Sequence, residues 1–315
     1  MVIKTEDIQS FQPFIDKLAL PRKKSHKGQN GKVLVIGGST LFHSSPIWAA
    51  EIASHFADMV HFSSTQENNE IISSLKKSFR DGMITHQKDI PDYVSEDDAI
   101  LVGPGMIRKE ISKTSIIQPN FHEILQLQDE AEYARQITRY LFQNFPEKRF
   151  VIDAGALQMI DTVWLQLLKQ PAIITPHQCE FERLFGISVA NLSSDEKKVL
   201  IKKAAHENNS VILLKSVDDF ISDGDTVFQV IGGNQGLTKG GTGDILAGLV
   251  VSLYAKNDPI ESAVIASFVL KKAAEKLSQS KGHWYNTSNL LEIIPDVLTE
   301  LVYNKNAYGS FHKTS

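Results

Sequence analysis

The chain has 315 residues, 42% of them hydrophobic and 22% charged, with a formal net charge of −4. That length can bury a large core without a disulfide or a structural metal, and the near-balance of charge excludes a broadly basic nucleic-acid face. The single cysteine, Cys179, cannot close an internal disulfide, residues 1–20 are broken by Lys4, Glu6, Asp7 and Asp16 where a signal peptide needs an apolar run, and no stretch reaches the roughly 18 to 20 apolar residues of a membrane span, so the cytoplasm is the expected location.

Short apolar, β-branched runs alternate with longer amphipathic stretches. Lys32-Val33-Leu34-Val35-Ile36 reads as a buried strand ended by Gly37-Gly38, and a helix follows over 46–57, with Pro46 suited to a first turn. A second strand is predicted at 59–62 and a helix at 70–79. A third strand, 98–102, stops at Gly103-Pro104-Gly105, and 129–142 is helical behind an acidic start. Strands at 150–153 and 172–174 come next, then a helix over 195–208 with acidic residues in its first turn, and a strand at 211–214. Phe220-Ile221 and 226–231 flank Asp223-Gly224-Asp225 as a hairpin, and helices over 243–255, 259–279 and 290–303 close the chain. Alternation of this kind implies a mostly parallel sheet covered on both faces by helices, with a late hairpin added. No internal boundary divides the chain. A single domain with a core over about 25–303 is expected, with a surface insertion at 109–128 and a frayed tail at 304–315.

In open parallel sheets ligands gather at the carboxyl ends of the strands. There the sequence places Gly37-Gly38-Ser39-Thr40, Gly103-Pro104-Gly105, Asp153-Ala154-Gly155-Ala156, Thr175-Pro176-His177 and Lys215. The strongest feature is Lys239-Gly240-Gly241-Thr242-Gly243-Asp244, which runs straight into the helical Ile245-Leu246-Ala247-Gly248-Leu249. Glycines let backbone approach an anion closely, and a helix starting here aims free N–H groups at it. Asp244, in the first turn, could accept a proton from an attacking hydroxyl. An isolated Gly-Thr-Gly-Asp is more often a plain turn with a capping aspartate. Three glycines in four residues, within an α/β alternation, favour the phosphate loop. The segment is not a Walker A loop, and the chain has no Gly-x-Gly-x-x-Gly fingerprint. Thr175-Pro176-His177 opens a helix that carries Glu180. Here His177 could bond a substrate and Glu180 could help hold hydrated Mg²⁺, or the two simply start a helix.

Taken in order, Lys32-Val33-Leu34-Val35-Ile36-Gly37-Gly38-Ser39, Gly103-Pro104-Gly105, Val151-Ile152-Asp153-Ala154-Gly155-Ala156-Leu157, Thr175-Pro176-His177 with Glu180-Phe181 and Arg183-Leu184, and Gly240-Gly241-Thr242-Gly243-Asp244 with Leu246-Ala247-Gly248 resemble the ADP/ATP-dependent NAD(P)H-hydrate dehydratases, the YjeF C-terminal-type relatives of the carbohydrate kinases. The resemblance covers roughly residues 25 to 300. It implies a ribokinase-like three-layer α/β/α fold and repair of hydrated NADH or NADPH with ADP or ATP as phosphoryl donor and Mg²⁺ as cofactor. It implies Asp244 as the base, Ser45, Gly105, His177 and Asp244 toward the substrate, and Lys215, Ser216, Val217, Asp218, Asp219, Gly240, Gly241, Thr242 and Gly243 toward the nucleotide. The implied partners are small molecules, with no nucleic acid and no membrane. Too few residues precede Lys32 for the epimerase domain frequent in the family, so a separate epimerase is expected in the same pathway. A homo-oligomer stays open.

The chain departs from the family pattern at Ser44-Ser45-Pro46, Phe56-Ala57-Asp58, Cys179 and Ser216, where relatives usually carry glycine-containing stretches. A side chain in place of glycine can block a ligand. Two other functions therefore stay in play: a small-molecule kinase of the same superfamily, and a nucleotide-binding protein without turnover.

Overall fold

The computed structural model describes residues 1–77, 79–110 and 119–303. The elements in chain order are β1 (Val2–Lys4), α1 (Ile8–Ile15), β2 (Lys32–Ile36), α2 (Ser44–Ser54), β3 (Met59–Ser63), α3 (Gln66–Ser74), β4 (Gly82–Ile84), α4 (Ile90–Glu96) and β5 (Ala99–Val102). There follow α5 (Phe121–Leu125), α6 (Glu130–Asn144), β6 (Arg149–Ile152), α7 (Ala154–Met159), β7 (Ala172–Ile174), α8 (Gln178–Phe185), α9 (Ser194–Glu207) and β8 (Ser210–Leu214). The hairpin β9 (Asp219–Ser222) and β10 (Val227–Ile231) precedes α10 (Thr242–Tyr254), α11 (Pro259–Lys281) and α12 (Thr287–Tyr303).

Among the described residues the strands form one ten-stranded sheet, ordered β1-β10-β9-β8-β7-β6-β5-β2-β3-β4. The pairings of β9 with β8 and with β10 are antiparallel, and the others are parallel. The mixed sheet with a late hairpin is therefore as expected. Alternate strand residues enter two separate cores. Val33, Val35, Leu101, Val151 and Leu213 face α1, α2, α10, α11 and α12. Leu34, Ile36, Val102, Ile152 and Leu214 face α4, α6, α7, α8 and α9. Both faces are dry, which is why the strands read as unbroken apolar runs instead of alternating ones. The chain runs from β2 outward through β3 and β4, then returns to β5 on the other side of β2. This reversal opens a crevice beyond the carboxyl ends of β2 and β5, the place where such sheets bind ligands.

The N-terminus belongs to this architecture, so the core begins well before residue 25. β1 pairs in parallel with β10, and Phe11 of α1 is fully buried, its ring stacked on Phe268 at 3.7 Å between centroids. A three-residue strand has too few positions to show a period of two, and Pro13 inside α1 argues against a helix, so neither element stands out in the sequence. The helix expected over 70–79 instead starts at Gln66, because the Thr65 hydroxyl accepts the Asn68 N–H at 3.2 Å and caps it. The short helices α4, α5 and α7 and the edge strand β4 were also not expected. Of the expected insertion at 109–128, the part from 119 onward holds α5, started by an Asn120–Glu123 capping box and anchored by buried Ile124. Residues 111–118 and the expected tail at 304–315 lie outside the described residues.

Phe11→Ala should cost about 3–5 kcal/mol of unfolding free energy, measured by urea denaturation, because it empties a closed aromatic contact. A loss under about 1 kcal/mol would mean that the Phe11 ring is not packed into the core as the structure places it.

Candidate functional site

The glycine loop sits at the amino end of α10, which packs on β2, β5 and β6 below the crevice. Gly241 precedes the helix with φ +96°, and no side chain caps the helix. A Cβ at Gly241 would lie 2.5 Å from the Trp48 ring and 2.8 Å from Thr287 Oγ1, so only glycine fits. The loop is pinned from behind. The Thr242 hydroxyl donates to the carbonyls of Leu237 (2.8 Å) and Lys239 (2.9 Å), the Thr287 hydroxyl to that of Gly240 (3.0 Å), and Lys239 Nζ to that of Tyr285 (2.5 Å). These bonds engage loop carbonyls and turn them inward. The Thr242 N–H makes a long bond of 3.4 Å to the Lys239 carbonyl, while the Gly243 and Asp244 N–H groups keep the donor capacity, and the helix start the positive dipole end, that suit an anion.

In front of that helix end stands a charged cluster. Lys215, just past β8, places Nζ 2.9 Å from Asp153 Oδ1 and 4.0 Å from Glu180 Oε2, and 3.5 Å from where a Gly243 Cβ would be. The Thr175 hydroxyl donates to the same Asp153 Oδ1 at 2.7 Å. Glu180, in the first turn of α8, accepts from Gln158 Nε2 and from the His177 N–H, both at 2.9 Å. Asp244 joins this cluster. Burial and the neighbouring Asp153 charge push its carboxyl up to about 7, with Glu180 adding to the rise, while a hydrogen bond with Ser45 and the Lys215 charge pull it down. Glu180 is likewise raised, first by burial. Burial also pulls on Lys215, but Asp153, Glu180 and Asp244 outweigh it and raise its pKa, which keeps the ammonium charged.

The residues expected to face the substrate converge on the same place. Ser45 reaches Asp244 from the first turn of α2. Gly105 has φ +72°, and a Cβ there would press on the Phe42 carbonyl and Pro46 Cδ, each at 3.1 Å, directly beside Ser45. His177 accepts the Glu180 N–H through Nδ1 at 3.2 Å, while about half of its side chain stays exposed at the site.

The segment after β8 divides in two. Lys215 faces the loop of α10, and the Ser216 hydroxyl, which accepts from Gln178 Nε2 at 2.9 Å, lies beside it. Val217 projects outward, 88% exposed. Asp218 accepts from Gln229 at 2.8 Å. Asp219 was expected to meet the nucleotide, but it is buried, and its carboxylate accepts the Ser216 N–H (3.0 Å) and the Ser267 hydroxyl (2.7 Å) with Lys271 at 3.5 Å. It shapes the segment from within. Asp153 was placed at a strand end by the sequence but given no role there, and the charged cluster turns on it. Its signal was an acidic residue directly behind the apolar run Phe150-Val151-Ile152.

Of the positions where relatives usually carry glycine, Phe56 and Asp58 lie beyond the carboxyl end of α2, with the Asp58 N–H bonded to the Gly31 carbonyl at 2.9 Å. That is the opposite edge of the sheet from the crevice, so neither side chain obstructs it. Cys179 points to solvent. Among the described residues no group of three or more His, Cys, Asp or Glu side chains is placed to hold a metal ion. Both Glu180 oxygens already accept from the protein, and Lys215 supplies the local positive charge. The residues do not form a ready-made Mg²⁺ site, and any Mg²⁺ here would enter on the phosphates of a nucleotide.

The family model described as NAD(P)H-hydrate dehydratase matches residues 33–296. The chain is 32% identical over 277 residues to the bifunctional NAD(P)H-hydrate repair enzyme of Methanocaldococcus jannaschii, covering 87% of this chain but 49% of that protein, so it spans about half the length of that relative. It is 31% identical over 290 residues to the ADP-dependent (S)-NAD(P)H-hydrate dehydratase of Nitrosopumilus maritimus, covering 88% of this chain and 91% of the relative. The crystal structure of the ADP/ATP-dependent NAD(P)H-hydrate dehydratase of Bacillus subtilis, co-crystallised with ATP/Mg²⁺, superposes with a TM-score of 0.75 at 22% identity, over 92% of this chain and 96% of the other, which shows a shared ribokinase-like fold.

Because Asp244 in the folded protein titrates near 7, above its ordinary 3.8, the unfolded chain releases that proton first. Folding stability linked to this group is full below about pH 4 and falls as the pH rises toward 7. Asp244→Asn should therefore melt at a higher temperature than wild type at pH 8, with the gap closing as the pH is lowered to 4. A gap that stays constant with pH would show that Asp244 is an ordinary solvated carboxylate.

Proposed function

The chain belongs to the NAD(P)H-hydrate dehydratase family, and on that premise we propose that it restores hydrated NADH or NADPH in two steps at the mouth of α10. A nucleoside di- or triphosphate lies with its terminal phosphoryl group against the amides of Gly241, Thr242 and Gly243 and the ammonium of Lys215. The hydrate lies between Gly105, His177 and Ser45, with its hydroxyl toward Asp244. Asp244 takes the hydroxyl proton as the oxygen attacks phosphorus, and the bond to the nucleotide's leaving phosphate oxygen breaks. The carbon–oxygen bond then breaks. Phosphate departs with the electron pair, a ring proton is lost, and the nicotinamide double bond returns. Hydroxide leaves poorly and phosphate well, which is why the first step is needed.

The observation that carries this reading is the position of Asp244. A carboxylate poised near neutrality stands beside an uncapped glycine-rich helix start and a partly buried lysine. Fixed donors in a partly dry site stabilise developing phosphoryl charge better than water does. Mg²⁺ would screen the nucleotide's phosphates as they enter. Cytoplasmic operation fits the reduced nicotinamide substrate, and no helix among the described residues is long and apolar enough to cross a membrane.

With hydrated NADH, Mg²⁺ and either ADP or ATP, the purified protein should recover the absorbance of reduced nicotinamide and release orthophosphate. The rate should climb with pH as Asp244 ionises through about 7. Asp244→Asn should lose at least roughly a thousandfold in kcat while nucleotide binding changes little. A stable phosphorylated product would identify a kinase, and binding without hydrolysis would identify a protein without turnover.

A further inference from the structure

We propose that Asp153 is a positioning residue of this site: its carboxylate holds the Lys215 ammonium at the phosphate end of α10, so that the charge meeting the phosphoryl group is fixed before the nucleotide arrives. The inference rests on the reading of α10 as the phosphate-binding element.

Asp153 lies directly behind β6 and is 2% exposed. Its backbone is clamped. The N–H donates to the Val102 carbonyl at 3.1 Å, and its own carbonyl lies so close to Gly103 that a Cβ there would sit 1.8 Å away. The next residue, Ala154, takes φ +47°, a left-handed conformation that a non-glycine residue adopts only where its surroundings demand it. With the main chain fixed in this way, Oδ1 is presented to two donors, the Thr175 hydroxyl at 2.7 Å and Lys215 Nζ at 2.9 Å.

Lys215 needs such a partner. Its main chain is held where its N–H donates to the Pro176 carbonyl at 2.8 Å, but a lysine side chain is a flexible stem with a strongly hydrated head. Buried alone, it would tend to lose its proton or swing outward. Asp153 at 2.9 Å, helped by Glu180 at 4.0 Å, keeps the head charged and in place. The charged and polar groups facing Asp244 are Ser45 from α2, Asp153 behind β6, Glu180 from α8 and Lys215 behind β8. Asp153 therefore acts on both partners of the reaction. It holds the cation for the phosphate, and as a like charge it helps to keep Asp244 protonated until near neutrality.

The test is a cycle of Asp153→Asn, Lys215→Met and the double variant, made in the full chain. Nucleotide Kd is measured by calorimetry with ADP and with ATP, and dehydratase rate is measured against pH. Asp153→Asn should weaken nucleotide binding roughly tenfold and move the acid limb of the rate profile down by about half to one pH unit. The double variant should bind no more weakly than Lys215→Met alone, because Asp153 acts through the lysine. Unchanged binding in a folded Asp153→Asn protein, an unmoved acid limb, or effects that multiply in the double variant would overturn the proposal. If Asp153→Asn fails to fold, Asp153→Glu keeps the charge but displaces the carboxylate by one methylene; it should weaken nucleotide binding several-fold, and unchanged binding would overturn the proposal. If wild type binds nucleotide but never turns over hydrate, the functional reading fails while the binding cycle still reports on Asp153.

Discussion

A lysine ammonium shared among three buried or half-buried carboxylates organises the functional edge of this protein. Lys215 is bonded to Asp153, lies within 4.0 Å of Glu180 and feels Asp244. One positive charge among three acids leaves an excess of negative charge beside the helix start proposed to take the phosphates. Asp244, held near 7, sheds part of that excess by staying protonated until near neutrality. The uncapped start of α10 supplies positive potential without a side chain. In the proposed reaction, anion binding and base strength are thus two results of the same charge balance.

The cluster exists because of the sheet. Asp153, Thr175 and Lys215 follow the adjacent parallel strands β6, β7 and β8, so their side chains arrive within hydrogen-bonding distance with little loop to order. Both faces of those strands are packed against helices, which leaves the strand ends as the outlet for polar groups. Ser45 and Gly105 come from the other side, from the segments after β2 and β5 that border the crevice. Those two segments touch: the Gly38 N–H donates to the Pro104 carbonyl at 2.7 Å. Strand ends thus position the ammonium and its Asp153 partner, the first turn of α10 brings Asp244 to them, and short glycine turns line the crevice.

Much of this was legible in the sequence. Uniform apolar runs such as Lys32-Val33-Leu34-Val35-Ile36 mark strands buried on both faces, and three glycines ahead of Asp244 mark a helix start that needs close backbone approach. What escaped notice is short or internal. β1 is three residues long, and α1 carries a proline, so periodicity has nothing to register. Asp219 looks like a polar loop residue near Lys215, yet its carboxylate turns inward to Ser216 and to Ser267 and Lys271 of α11, which are distant in the sequence. Asp153 was visible as a strand-terminal acid, but its bond to Lys215 spans 62 positions and depends on which strands are neighbours, which only the sheet order reveals.

The most direct measurement is a crystal structure with ADP or a non-hydrolysable ATP analogue bound. The account predicts the terminal phosphate within about 3 Å of the first-turn amides of α10 and of Lys215 Nζ, with Asp244 beside its open face. A nucleotide whose phosphates lie away from that helix end, with Lys215 still paired only to Asp153, would contradict it.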